Sequence, residues 1–145
     1  MFSFNYMIPA NSSLANNVSF IQHIFCVAIV DGICSLHERL ENFPMKIKWP
    51  NDLYYGRTHK VGGLIVNATT INGRTVCTLG AGLNLSNSKP TVCINELLPA
   101  EIGFKIKQED YIANTLNKFE HYMDVYQNLG QEAFLNDYYR FWLHR

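Results

Sequence analysis

Between Met45 and Leu85 lie three short pieces whose residue types could do chemistry together: Lys48-Trp49-Pro50-Asn51-Asp52, Lys60-Val61-Gly62-Gly63 and Gly80-Ala81-Gly82-Leu83-Asn84. Each sets a charged or amide side chain beside residues that fix or free the backbone. Proline locks φ, while glycine lets a backbone bend sharply or come close to a ligand. Two ammonium groups, an Asn-Asp pair and two glycine-lined segments brought to one pocket would suit an anionic, phosphate-bearing ligand. Taken singly, each signal also has an ordinary reading. A lysine at a strand end is commonly solvated, and Pro-Asn-Asp is common turn chemistry. Gly62-Gly63 could mark a bulge, and Gly80 and Gly82 close packing. Arg57 and His59 fall in a polar loop and read as solvated.

The elements that must carry these pieces emerge from the patterning. Leu64-Ile65-Val66 and Thr75-Val76-Cys77-Thr78-Leu79 are apolar, β-branched runs that read as strands, and Asn72-Gly73 between them marks a tight hairpin. Lys48 closes a strand entered at Met45, and Lys60 opens the next. Upstream, Phe2–Ile8 alternates aromatic and polar residues until Pro9 and reads as a strand with nothing before it to pair. Asn11–Asn17 is a polar loop in which Asn16 or Asn17 can cap the following helix. From Phe20, apolar residues recur at helical spacing to Leu36 and Leu40, with Asn42-Phe43-Pro44 ending the run. Val27 and Val30 widen the apolar face, so this helix should lie largely buried across a sheet. His23 and His37 on or near it receive no role. Downstream, Ser86–Pro90 reads as a loop and Asn95–Leu98 as a single helical turn. Ile112, Leu116, Phe119, Met123 and Tyr126 share one helical face, and Gly130 is placed to end that helix. A last helix carries Phe134, Leu135, Tyr138, Phe141 and Trp142.

With 145 residues, 48% of them hydrophobic, the chain suffices for one domain with its own core. Lys+Arg and Asp+Glu balance at 12 each, which speaks against a general nucleic-acid or membrane-surface partner. Cys26, Cys34, Cys77 and Cys93 show no Cys-x-x-Cys spacing and read as buried free thiols of a reducing compartment. The first residues lack a basic region followed by a sustained apolar core, so no secretory signal is expected. A cytoplasmic location, or a mitochondrial one, is the expectation.

In order and spacing, Lys-Trp-Pro-Asn-Asp, Lys-Val-Gly-Gly, an apolar strand and Gly-Ala-Gly-Leu-Asn together resemble the catalytic domain of biotin–protein ligases, closest to the holocarboxylase synthetase type. The likeness extends to Phe20-Ile21-Gln22-His23, Pro90-Thr91-Val92-Cys93-Ile94-Asn95 and Tyr138-Tyr139-Arg140-Phe141-Trp142. It implies an α+β fold, a mixed β-sheet backed by helices and related to class II aminoacyl-tRNA synthetases. It further implies that biotin and ATP with Mg²⁺ give biotinyl-5′-AMP, which then acylates a lysine of a biotin carboxyl carrier domain.

The same likeness carries roles over. Lys60 matches the principal catalytic lysine, Lys48 a second lysine near the phosphate, and Asp52 a group that orients these amines or binds Mg²⁺. Asn51 supports this shell, Gly62 and Gly63 lie along biotin, and Gly80, Gly82 and Asn84 border the nucleotide. The family's upstream Gly-Arg-Gly-Arg loop has no counterpart in Met1–Pro9, and the small β-barrel that usually comes after the last helix is also missing. Residues 1–145 are therefore expected to be part of such a catalytic domain. Two alternatives stay open: a truncated, inactive fragment that only binds, and a lipoate–protein ligase of related fold.

Overall fold

The structure, a computed structural model, describes residues 1–87 and 90–144. Its strands are β1 (Phe2–Ile8), β2 (Met45–Lys48), β3 (Asp52–Tyr55), β4 (His59–Ile71) and β5 (Arg74–Leu83), joined in one sheet of order β1-β5-β4-β3-β2. The α+β class holds, but all four strand pairings are antiparallel rather than mixed. Connection length explains this: β2 to β5 are joined only through residues 49–51, 56–58 and 72–73, and such short turns return the chain antiparallel. Among the described residues the one parallel contact is an isolated bridge between Ile47 and Trp142. Asn72 (φ 50°) and Gly73 (φ 74°) supply the paired positive φ values that a two-residue hairpin turn needs. The run 64–66 proves to be the middle, and 75–79 the first half, of the longer strands β4 and β5. A strand at Asp52–Tyr55 was not anticipated, because Pro50-Asn51-Asp52 reads as turn.

One face of the sheet is covered by α1 (Phe20–Cys34), α3 (Gln108–Asp124) and α4 (Gln131–Phe141), while α2 is the short turn Ile94–Leu97. Twelve of the fifteen residues of α1 are buried, as expected for a helix that is apolar all round. Phe25 stands at the centre of the core, edge-on to Phe2, Phe4 and Phe119 with ring centroids 6.0, 5.4 and 5.9 Å away. Such aromatic pairs add directional attraction to apolar burial. All four cysteines are buried and free.

The end and the cap of α1 differ from expectation. α1 stops at Cys34 because Ser35 Oγ donates to the Asp31 carbonyl (2.6 Å) and His37 is extended. Leu36 and Leu40 keep an apolar spacing because they pack on the core from beyond α1, Leu40 from a separate 3-10 turn, Glu38–Leu40. Neither Asn16 nor Asn17 caps α1. Ser19 occupies that position without a capping bond, and its hydroxyl donates to Asn17 Oδ1 instead. Past Asp124 the helix loosens into a π turn, Val125–Leu129, which Gly130 (φ 89°) ends as expected. In the expected loop 86–90, Ser88 and Lys89 lie outside the described residues.

Candidate functional site

The register of the sheet assembles the site. Lys48 lies opposite Asp52, Asp52 opposite Gly63, and Gly63 opposite Gly82. Residues directly opposite share a face, so these four form a row across four strands. A register shift between Leu53 and Tyr54 leaves Val61 as an extra residue on β4. Such a bulge re-aims the neighbouring side chains of its strand. Without it, Lys60, two residues before Gly62, would share Gly62's face and point into the core. With it, Val61 is fully buried and Lys60 emerges on the outer face opposite Tyr54.

The contacts agree with that register. Lys60 Nζ lies 2.6 Å from Asp52 Oδ1. A Cβ built on Gly63 would stand 3.2 Å from Asp52 Oδ1 and 3.9 Å from Lys60 Cε. Lys48 Nζ sits over the Tyr54 ring, 5.3 Å from its centroid, within cation–π range. Both amines are thus on one face, held by residues two apart on β3. Two ammonium groups against one carboxylate leave this face locally cationic. Lys60 remains accessible, with its side chain 53% exposed.

The glycines divide by face. A Cβ on Gly62 would lie 2.5 Å from the Gly82 carbonyl oxygen, so only glycine allows the β4–β5 approach there. Gly62 serves the packing of the strands. On the outer face, a Cβ at Gly82 or Gly80 would meet nothing closer than 4.0 or 3.9 Å. Gly63, Gly82 and Gly80 therefore leave a strip of bare backbone beside the two lysines, and Trp49, which follows Lys48, is exposed.

Asn51 and Asn84 act on the framework. Asn51 Nδ2 donates to the Leu64 carbonyl (2.7 Å), and Leu64 N–H donates to the Asn51 carbonyl (3.0 Å), which pins the β2–β3 turn to β4. Asn84 N–H donates to the Val61 carbonyl (2.7 Å), its own carbonyl accepts from Ile94 N–H (2.8 Å), and its side chain accepts from Asn87. Those bonds fix the end of β5 beyond the lysine row. Arg57 and His59 are exposed, and His59 Nδ1 lies 3.0 Å from Thr58 Oγ1. Two contributors escaped sequence reasoning. Tyr54 belongs to the unforeseen strand, and Gln22, given no role above, reaches the Pro50 carbonyl through Nε2 at 3.4 Å from the largely apolar α1. A lone amide on so apolar a helix was the available signal.

Among the described residues no cluster of three or more His, Cys, Asp or Glu side chains could hold a metal ion. Asp52 is a single carboxylate already paired with Lys60. Mg²⁺ usually takes one or two carboxylates together with substrate phosphates and water. The donor set therefore does not fit a resident metal, and a divalent ion here would have to arrive with its own phosphate ligands.

A profile of the Biotin/lipoate A/B protein ligase family matches residues 1–84, more than half of the chain. The chain belongs to this family. Within it, the Homo sapiens protein named Biotin--protein ligase is 35% identical over 143 residues, a stretch covering 94% of this chain and 20% of that relative. The chloroplastic Biotin--protein ligase 1 of Arabidopsis thaliana is 33% identical over 131 residues, covering 88% of this chain and 35% of the relative. The chain thus spans between one fifth and about one third of the length of these relatives. The fold matches the biotin protein ligase of Aquifex aeolicus with TM-score 0.62 at 13% identity, over 92% of this chain and 55% of that one. It matches the Leishmania major ligase solved with biotinyl-5-AMP equally well, with TM-score 0.62 at 13% identity, over 97% and 60%. Among the described residues no helix is long and apolar enough to cross a membrane.

Proposed function

We propose that this chain carries the acyl-adenylate chemistry of a biotin–protein ligase. Biotin's carboxylate displaces pyrophosphate from ATP to give biotinyl-5′-AMP, and a lysine of a carboxylase carrier domain then takes the biotinyl group and releases AMP. The observation that carries this reading is the Lys60–Asp52 pair at 2.6 Å, flanked by Lys48 on a glycine-floored face. Relatives named for the activity supply the substrate class.

The chemical difficulty of the first step is charge. A carboxylate must approach a phosphorus atom already surrounded by anionic oxygens, so fixed cations are required. Lys60 bridges the biotin carboxylate and the α-phosphate, and Lys48 adds a second cation. Asp52 holds Lys60 in position and, in the second step, takes a proton from the incoming acceptor lysine. Gly63, Gly82 and Gly80 let the substrates lie against backbone, while Asn51, Gly62 and Asn84 keep those strands in place. Mg²⁺ enters bound to ATP, as part of that substrate. In domain terms, residues 1–145 form the portion of the catalytic domain that holds these lysines.

A second reading, a fragment that binds without turnover, is favoured by the 53% exposure of Lys60, since an acyl-adenylate survives only where water is excluded. Incubating the chain with biotin, α-labelled ATP and MgCl₂ separates the two. Labelled biotinyl-adenylate, lost in Lys60→Ala, supports the enzyme. Binding of a non-hydrolysable biotinyl-adenylate mimic without any product supports the fragment. Stronger competition by lipoate than by unlabelled biotin would move the chain to the lipoate branch.

A further inference from the structure

At the β2 edge, where the end of α4 meets the β3–β4 turn, a groove of about 300 Å³ is walled by Lys46, Arg57, Arg140, Tyr139 and Trp142. Three of these side chains are cationic, and among the described residues no carboxylate lines the groove. Among the described residues the ion pairs are Lys60–Asp52 and Lys118–Asp31, neither of which involves a groove residue. The Trp142 indole N–H is buried without an acceptor among the described residues. Lys46 Nζ donates to the Arg140 carbonyl at 3.4 Å, and the Arg140 guanidinium rests 4.9 Å over the Phe141 ring, so both cations are held at the wall. Arg140 also borders a neighbouring groove with Asp31, Glu38 and Glu41, which leaves Lys46 and Arg57 as the uncompensated charges.

Cations without carboxylate partners, set beside aromatic rings, suit an acidic partner surface. The position matters as much as the charge. Lys46 precedes Lys48 by two residues on β2 and so shares its face, and it lies opposite Tyr54, whose ring underlies Lys48. A protein seated here would stand beside the lysine row.

We infer that this groove docks an acidic patch of the acceptor protein and holds its target lysine over the Lys48–Lys60 face. This rests on the acyl-transfer reading above. Because the groove lies outside the row that handles the adenylate, the two steps respond differently to its removal.

The test compares the full chain with its Lys46→Glu/Arg57→Glu double variant, measuring binding of an apo biotin carboxyl carrier domain and adenylate formation separately. The expected result is a carrier Kd raised about tenfold or more, with adenylate formation unchanged. Carrier binding by the unaltered chain should also weaken with added salt, and that of the variant much less. The Lys46→Gln/Arg57→Gln variant should fall between the two. A Kd unchanged by charge reversal, or no carrier binding by the unaltered chain, overturns the docking surface. If the unaltered chain binds carrier in this charge-dependent way but forms no adenylate, the enzyme reading fails and the docking surface stands.

Discussion

Two ion pairs in this molecule have nearly the same length and opposite characters. Lys118 Nζ lies 2.8 Å from Asp31 Oδ2 between α1 and α3, where Tyr122 Oη also donates to that oxygen (2.9 Å) and Asp31 is 7% exposed. Lys60 and Asp52 meet at 2.6 Å on the outer face, with side chains 53% and 30% exposed. The buried carboxylate is committed to holding two helices together. The exposed pair contributes little to folding, since surface ion pairs are worth about 0–1 kcal/mol. Its geometry is therefore free to be set by chemistry, and substitutions should divide accordingly.

The largest expected effect is on the outer pair. Lys60→Ala should lower adenylate formation by about 10²–10³, the cost of losing one preorganised charge-stabilising donor, while thermal unfolding moves by less than about 1 kcal/mol. A matching loss of stability would show Lys60 to be structural and collapse the contrast. On the inner side, Asp31→Ala should cost about 3 kcal/mol in chemical denaturation by stranding the buried hydroxyl of Tyr122 and the Lys118 ammonium. Activity per folded molecule should be unchanged.

The glycines sharpen the same division. Gly62→Ala should destabilise by about 1–3 kcal/mol, because its Cβ would press on the Gly82 carbonyl at 2.5 Å. Gly82→Ala, with open space above it, should leave the melting temperature alone and weaken binding of an adenylate mimic. Equal melting temperatures for the two variants would contradict the assignment of faces.

The smallest effect is one of pH. Burial lowers the pKa of His23 below its ordinary 6.5, and its Nδ1 has no partner among the described residues. The folded state then favours neutral imidazole, so the unfolded chain binds more protons as the pH falls through about 6.5. Stability from this group is complete above that value and declines below it. His23→Phe should flatten the slope of melting temperature against pH on the acid side, and an unaltered slope would assign it to other groups.

The motifs that the sheet brings together on its outer face were legible in the sequence because they are contiguous and have restrictive backbones. β1, the Asn72-Gly73 hairpin and the buried body of α1 were legible from period and turn chemistry. The face on which Lys60 emerges was not. That depends on the bulge at Val61, which is set by pairing with β3, a strand disguised by Pro50-Asn51-Asp52. The separate duties of Gly62 and Gly63 were hidden for the same reason, since only register says which faces a neighbouring carbonyl. The true end of α1 was masked by Leu36 and Leu40, which keep its spacing while packing on the core from beyond the helix, Leu40 from a separate 3-10 turn.

The most direct measurement of whether the outer face holds the acyl-adenylate is amide chemical-shift mapping with a non-hydrolysable biotinyl-adenylate mimic. The expected result is that the largest perturbations fall on Lys60, Gly63 and Gly82 and disappear in Lys60→Ala. Perturbations confined to the groove between β1 and α3, lined by Phe4, Tyr6 and Met123, with Gly63 and Gly82 unmoved, would contradict it.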